Sequence, residues 1–230
     1  MSEALVERSP VVLMPRRGET EWWRGDPRLL RLHQAQDGDG PIIVRRHVLS
    51  SRQCMTLIAC FERNRETCAT KDGPSYWAGR YIWQNMLPES ETDALRLMQQ
   101  VRLLAQLVLT HAARPTQTIY SDTAQLVRWH EGIELTPHAD NMEPDGAPNA
   151  TPHRCFSSLL YLNDDYEGGE TFFPGYAIRL KPEAGMLVLF GAGPEFVHGV
   201  TRVRRGLRYT YAGWFTYDAS HEDANAKRVF

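Results

Sequence analysis

From residue 123 onward the chain breaks into short runs: TAQLVRW, CFSSLLYLN, ETFFP, YAIRL, GMLVLF, GVTRV and LRYTYAGWFTY. Each carries β-branched or aromatic residues, and Gly, Pro, Asn or Asp separates it from the next. No run sustains the three-to-four-residue apolar spacing of a helix over enough length to form one. Strands of this size with turn residues between them fold as a sandwich or barrel. A chain of 230 residues is long enough to wrap such strands around one sizeable core.

The first half reads differently. PIIVRRHVL (41–49) is a strand pattern that leads into Ser50-x-x-Gln53, a capping box. Apolar Cys54, Leu57, Ile58 and Phe61 follow at helical spacing, which predicts a helix over about 51–63. Ser90-x-x-Asp93 predicts the cap of a second, longer helix reaching about residue 111, with Ala94, Leu97, Met98, Val101, Leu104, Ala105 and Val108 along one face. Between them, 64–86 reads as a loop in which Trp77, Tyr81 and Trp83 are either a flap packed on the core or a lid over a substrate. Residues 1–40, punctuated by Arg-Gly and Asp-Gly pairs, read as a leader or edge extension, and 41–230 as one domain. The expected class is α+β: a double-stranded β-helix (jelly-roll) barrel supported by two N-terminal helices.

A formal net charge of −2 and a pI near 6.4 give no overall attraction to nucleic acid or to an anionic membrane. No stretch is apolar enough to span a bilayer, and the N-terminus lacks the pattern of a secretory signal. Cys54, Cys60, Cys68 and Cys155 have no C-x-x-C spacing. Reduced thiols in a cytoplasmic protein are the expectation.

Chemistry concentrates in ELTPHADN, where His138 and Asp140 stand two residues apart after a strand-like run. In a strand, i and i+2 share a face, so the pair could address one ion; it could equally be a polar turn. A third donor, His198, follows GMLVLF and a Gly-Ala-Gly-Pro turn. Two imidazoles and one carboxylate on one face of an octahedron leave three positions open, the arrangement of non-haem Fe(II) oxygenases. Ten residues on, Arg208 shares a strand face with Thr210, Ala212 and Trp214. A guanidinium inside a barrel needs an anion. That anion is either a structural Asp or Glu, or the far carboxylate of a dicarboxylic cosubstrate whose near end chelates the metal.

The set His138-x-Asp140, His198 and Arg208, with SSLLYLNDDYEGGETFF, HGVTRVRRGLRY and GWFT, resembles the Fe(II)- and 2-oxoglutarate-dependent oxygenases of the prolyl hydroxylase superfamily. It is most similar to leprecan-type prolyl 3-hydroxylase catalytic domains and small bacterial relatives, over about 119–218. The resemblance implies His138, Asp140 and His198 as iron ligands, and Arg208 and Tyr161 as partners of the 2-oxoglutarate C5 carboxylate. It places Trp129, Leu135, Asn141 and Trp214 at the substrate pocket, and gives Gly168 and Gly169 a role in backbone conformation. The implied cofactor and cosubstrates are Fe(II), 2-oxoglutarate and O2, with ascorbate as an accessory reductant, and the products are an alcohol, succinate and CO2. Asp140 fills the position that halogenase relatives leave vacant. Where prolyl hydroxylases commonly carry Tyr-x-x-Gly-x-x-Tyr-x-x-His, this chain has Trp129, Gly132, Leu135 and His138, so the substrate pocket is reshaped. The missing signal peptide, retention tail and extra domains argue against collagen. The expected substrate is a prolyl or other peptidyl residue, with a free amino acid or small metabolite as the alternative. A zinc hydrolase or cupin-like metal-binding protein would use the same three ligands, but neither needs an anion clamp at the reach of Arg208 and Tyr161.

Overall fold

In the computed structural model, which describes residues 21–33, 37–69, 77–113 and 116–224, the capping box forms as its sequence dictates. Ser50 Oγ accepts the Gln53 N–H at 3.3 Å and Gln53 Oε1 accepts the Ser50 N–H at 2.9 Å, starting helix α1 (Ser51–Cys68). The helix runs five residues beyond its expected end. Asn64, where a loop was expected, is buried, and its amide donates to Cys60 O and to Glu91 Oε1, both at 2.8 Å.

Helix α2 (Thr92–Ala113) starts one residue later than a Ser90 cap implies. The Leu95 N–H donates to Glu91 O at 2.9 Å, which makes Glu91 the N-cap residue. The Glu91 carboxylate also receives Arg63 Nη2 at 2.6 Å, so tertiary pairing between the helices sets this boundary.

The larger sheet has, in spatial order, β2 (Gly38–Asp39), β3 (Ile43–Arg45), β11 (Leu187–Gly191), β7 (Arg154–Tyr161), β14 (Arg208–Thr216), β5 (Tyr120–Trp129) and β4 (Tyr81–Trp83). The smaller has β1 (Arg31–His33), β10 (Ile178–Leu180), β9 (Thr171–Phe173), β12 (His198–Val200) and β6 (Leu135–His138). A separate pair joins β8 (Glu167–Gly168) to β13 (Val203–Arg205). All seven sequence runs contain strands, and GVTRV contributes to two, β12 and β13. The predicted strand at 41–49 is shorter than expected, because His47 turns the chain with φ of 55°. Residues before 41 supply edge strands to both sheets. The ladders remain separate, so the jelly roll is an open sandwich and not a closed barrel.

Period-two alternation divides β14 between two environments. Tyr209, Tyr211 and Phe215 join the core under α1 and α2, with Leu57, Phe61, Met98 and Leu109. Burying each such side chain stabilises the fold by about 1.5–3 kcal/mol. Arg208, Thr210, Ala212 and Trp214 face a cavity between the sheets. A second core, with Val44, Tyr161, Phe173 and Val188, also lies between them. Among the described residues no helix is long and apolar enough to cross a membrane.

Candidate metal and cosubstrate site

Strand β6 ends at His138 and β12 begins at His198, and the two residues are direct register partners. Their ring centroids lie 4.4 Å apart. Asp140 is not on the strand face its spacing suggested: β6 has ended, and the Asp140 N–H donates to Ala192 O at 2.9 Å. The loop nevertheless brings its carboxylate to both rings, with His138 Nε2 3.5 Å from Oδ1 and His198 Nε2 3.9 Å from Oδ2. One donor atom from each residue falls within 4.8 Å of the others.

Both imidazoles are oriented in the same way. Nδ1 of His138 lies 3.0 Å from Thr136 O, and Nδ1 of His198 lies 3.0 Å from Phe196 O. A proton held there leaves each Nε2 lone pair directed at the shared centre. Ser157 Oγ donates to Asp140 Oδ2 at 2.5 Å. Burial and the neighbouring His138 push His198 down to about 4. Burial would raise the Asp140 carboxyl, but His198, His138 and Ser157 outweigh it and hold the group well below the usual carboxylate range. Burial likewise opposes the His138 charge, and Asp140 overcomes it. With the His138 proton displaced by a cation, two imidazole donors and one anionic carboxylate would suit a divalent transition metal such as Fe(II).

The cavity beside these ligands, about 310 Å³, ends at Arg208. The Arg208 side chain is only 1% exposed. Nη2 donates to Thr171 Oγ1 at 3.3 Å, but Nε and Nη1 have no partner. Tyr161 Oη donates to the same Thr171 oxygen at 2.6 Å. The guanidinium sits 5.1 Å from the Trp129 ring and 5.3 Å from that of Tyr161, contacts that soften its charge without neutralising it. The structural Asp or Glu considered for Arg208 is not there: among the described residues no carboxylate lies within 4.0 Å of it. A buried, unpaired guanidinium costs several kcal/mol. A ligand carboxylate offsets that cost.

Sequence reasoning missed two groups here. Thr171 accepts from both Arg208 and Tyr161, and Tyr166 has a buried hydroxyl with no partner. Burial raises the Tyr166 phenol well above its ordinary range, against the pull of Arg208. Tyr166 sits in the loop after β7, where strand periodicity says nothing about direction. Gly168 and Gly169 both adopt positive φ, 77° and 65°, consistent with the backbone role expected of them. A Cβ on Gly169 would also lie 2.9 Å from Arg208 Cδ.

Trp129, Leu135 and Trp214 line the cavity. Asn141 does not: its Nδ2 donates to Arg154 O at 2.9 Å and braces the start of β7. The aromatic residues of the expected 64–86 loop complete one wall. Ring centroids step from Trp129 to Trp77 (5.5 Å), Tyr81 (6.1 Å), Trp83 (5.3 Å) and Trp214 (6.2 Å). Arg154, also missed, lies with its guanidinium carbon 3.7 Å over the Trp214 ring and lines the same cavity. Its Nε donates to Asp122 Oδ2 at 3.2 Å and its Nη2 to Thr123 Oγ1 at 3.4 Å. Counting back by twos from Tyr161 turns Arg154 away from the cavity. A register shift defeats that count: Phe215 pairs with Phe156, but Thr216 pairs with Arg154.

Residues 124–216 match the model of the 2OG-Fe(II) oxygenase superfamily. Human prolyl 3-hydroxylase 3 is 41% identical over 98 residues, which cover 37% of this chain and 13% of that protein. The chain thus spans about an eighth of the length of the curated relatives it matches. The 2-oxoglutarate complex of a viral collagen prolyl hydroxylase from Paramecium bursaria Chlorella virus-1 superposes with a TM-score of 0.58 at 19% identity, covering 78% of this chain and 97% of that one. A Trichoplax adhaerens prolyl hydroxylase, in complex with a hypoxia-inducible factor peptide fragment, gives 0.59 at 15% identity, covering 77% and 84%. These structures share the fold, and the sequence match spans every residue of the ligand triad together with Arg208. Over residues 124–216 the chain is therefore similar to the 2OG-Fe(II) oxygenase superfamily.

Proposed function

We propose that the protein is a 2-oxoglutarate-dependent dioxygenase that hydroxylates an unactivated C–H bond of a peptidyl residue, with prolyl as the first candidate. The observation that carries this is the orphaned Arg208: a buried cation with two unpartnered nitrogens shares one cavity with the His138, Asp140 and His198 triad. A dicarboxylate with one end on the metal and the other on Arg208 satisfies both. His138, Asp140 and His198 would hold Fe(II), and Arg208, Tyr161, Thr171 and Tyr166 would hold the distal carboxylate of 2-oxoglutarate. With O2 bound, this group supplies C–H hydroxylation coupled to formation of succinate and CO2. The chain's own residues set its geometry. The Thr136 and Phe196 carbonyls fix the two rings, Ser157 fixes Asp140, and the aromatic wall from Trp129 to Trp214 keeps water from the reacting carbon.

Support for a peptidyl substrate comes from the curated prolyl 3-hydroxylases and from the peptide-bound Trichoplax enzyme. Trp129 and Leu135 reshape the wall where prolyl hydroxylases carry tyrosines, so the residue accepted is this chain's own. A free amino acid or small metabolite is the second reading, favoured by Arg154, whose guanidinium at the cavity wall suits a free carboxylate. A cytoplasmic location is part of the proposal, supported by four unpaired cysteines.

Purified protein with Fe(II) should convert 2-oxoglutarate to succinate, and His138→Ala and Arg208→Ala should each abolish or severely reduce it. Equal succinate formation by all three proteins would refute the assignment. Mass spectrometry for the gain of one oxygen atom, across proline-rich peptides, free amino acids and cell extracts, identifies the substrate.

A further inference from the structure

Immediately before Arg154 in sequence, His153 stacks face to face on His221, with ring centroids 3.5 Å apart and planes inclined by 3°. His153 Nε2 lies 3.1 Å from Asp122 Oδ2, the same oxygen that receives Arg154 Nε. One carboxylate oxygen is thus held between an imidazole and the guanidinium at the cavity wall. His221 comes from the C-terminal turn Ala219–His221, which Asp218 caps by accepting the Ser220 N–H at 2.9 Å. His221 Nε2 lies 3.9 Å from Asp218 Oδ2.

The same segment is latched again two residues on. The Asp223 N–H donates to Ser121 O at 2.9 Å, and its carboxylate accepts Arg102 Nη1 at 2.8 Å. Arg102 Nη2 in turn donates to the Asp122 carbonyl at 2.6 Å. Residues 218–223 therefore connect to Asp122 twice, through Arg102 at its carbonyl and through His153 at its side chain. The His221 side chain is 44% exposed, so its stacking contributes little to the core. Its contact is with His153, which holds the Asp122 carboxylate that orients Arg154.

We infer that residues 218–223 form a positioning strap for the substrate-facing Arg154, in which His221 stacks on His153 and so fixes the Asp122 carboxylate that holds the guanidinium over Trp214. The inference rests on the proposed function only in taking the cavity as the substrate site. Asp122 and His153 are positioning residues: they act through Arg154, which faces the cavity. The flat stack predicts that an aromatic ring at 221, not a titrating one, is what the strap requires.

The test compares wild type, His221→Ala and His221→Phe in the full chain. The metal-free proteins are observed by NMR at the Arg154 Nε–H, assigned by its disappearance in Arg154→Lys. In wild type and His221→Phe this proton should give one signal, shifted by the Trp214 ring and slow to exchange; in His221→Ala it should broaden and lose that shift. With Fe(II), 2-oxoglutarate and a proline-rich peptide, His221→Ala should raise KM for the peptide about fivefold, leaving kcat and KM for 2-oxoglutarate unchanged. An Arg154 signal identical in all three proteins overturns the strap. Absence of succinate formation by wild type overturns the oxygenase reading instead, and the NMR comparison still decides the strap.

Discussion

The cavity has an arginine at each of two places, and they are held in opposite ways. Arg208 is fully buried with two nitrogens unpartnered and no carboxylate near it among the described residues. Arg154 is clamped by Asp122 and Thr123 and lies flat over Trp214. A cation left unpaired in a low-dielectric site is destabilising until an anion arrives, which makes its ligand close to obligatory. A cation already paired adds direction to a contact at lower cost, which suits a substrate that must enter and leave. The two arginines thus separate a pocket that needs its anion to balance a buried charge from a wall that is balanced before the substrate arrives.

The comparison can be broken most forcefully at Arg208. Arg208→Met should weaken 2-oxoglutarate binding by on the order of 100-fold or more, since charge-assisted hydrogen bonds are each worth about 1.5–3 kcal/mol. Calorimetry on the metal-free protein should at the same time show a Tm unchanged or raised, because an uncompensated charge has been removed. A clear fall in Tm would mean that Arg208 is a structural pair after all. Next in size is the metal. Adding Mn(II) as a redox-silent substitute at about 100 times its Kd should stabilise the fold by about 2.7 kcal/mol, a Tm rise of about 5–10 °C, and His138→Ala should abolish the rise.

At the other arginine, Asp122→Asn leaves the guanidinium with a weaker acceptor. Peptide KM should rise about tenfold while succinate formation without peptide stays at the wild-type rate. A loss of peptide-free turnover would place Asp122 on the cosubstrate side and erase the contrast. The smallest effect is expected for Gly169→Ala. Its new methyl would press on Arg208 Cδ at a backbone φ of 65°, so KM for 2-oxoglutarate should rise a few-fold and stability fall by about 1 kcal/mol.

Much of this site was legible because residue type and period carried it. Two histidines at strand ends, with a carboxylate two residues beyond the first, point to a metal, and Arg208 on an inward strand face points to an anionic partner. The rest depended on tertiary facts that no local pattern encodes. Arg154 reaches the cavity only because the pairing between β7 and β14 shifts at Phe215. Tyr166 points at Arg208 from a loop, and Asp140 reaches the histidines through a backbone bond to Ala192. The start of α2 followed Glu91 and not Ser90, because Arg63 and Asn64 on α1 both donate to that carboxylate.

The open sandwich has a consequence for how the protein holds together. The two histidines of the candidate metal site belong to the smaller sheet, whereas Arg208 and Tyr161 belong to the larger one. Thr171, on the smaller sheet, accepts hydrogen bonds from both of these larger-sheet residues. A dicarboxylate lying from the metal to Arg208 therefore acts as a rivet through both layers. Loading the site should slow hydrogen exchange in β9 and β14 together, so the cosubstrate serves as a removable piece of the core as well as a reactant.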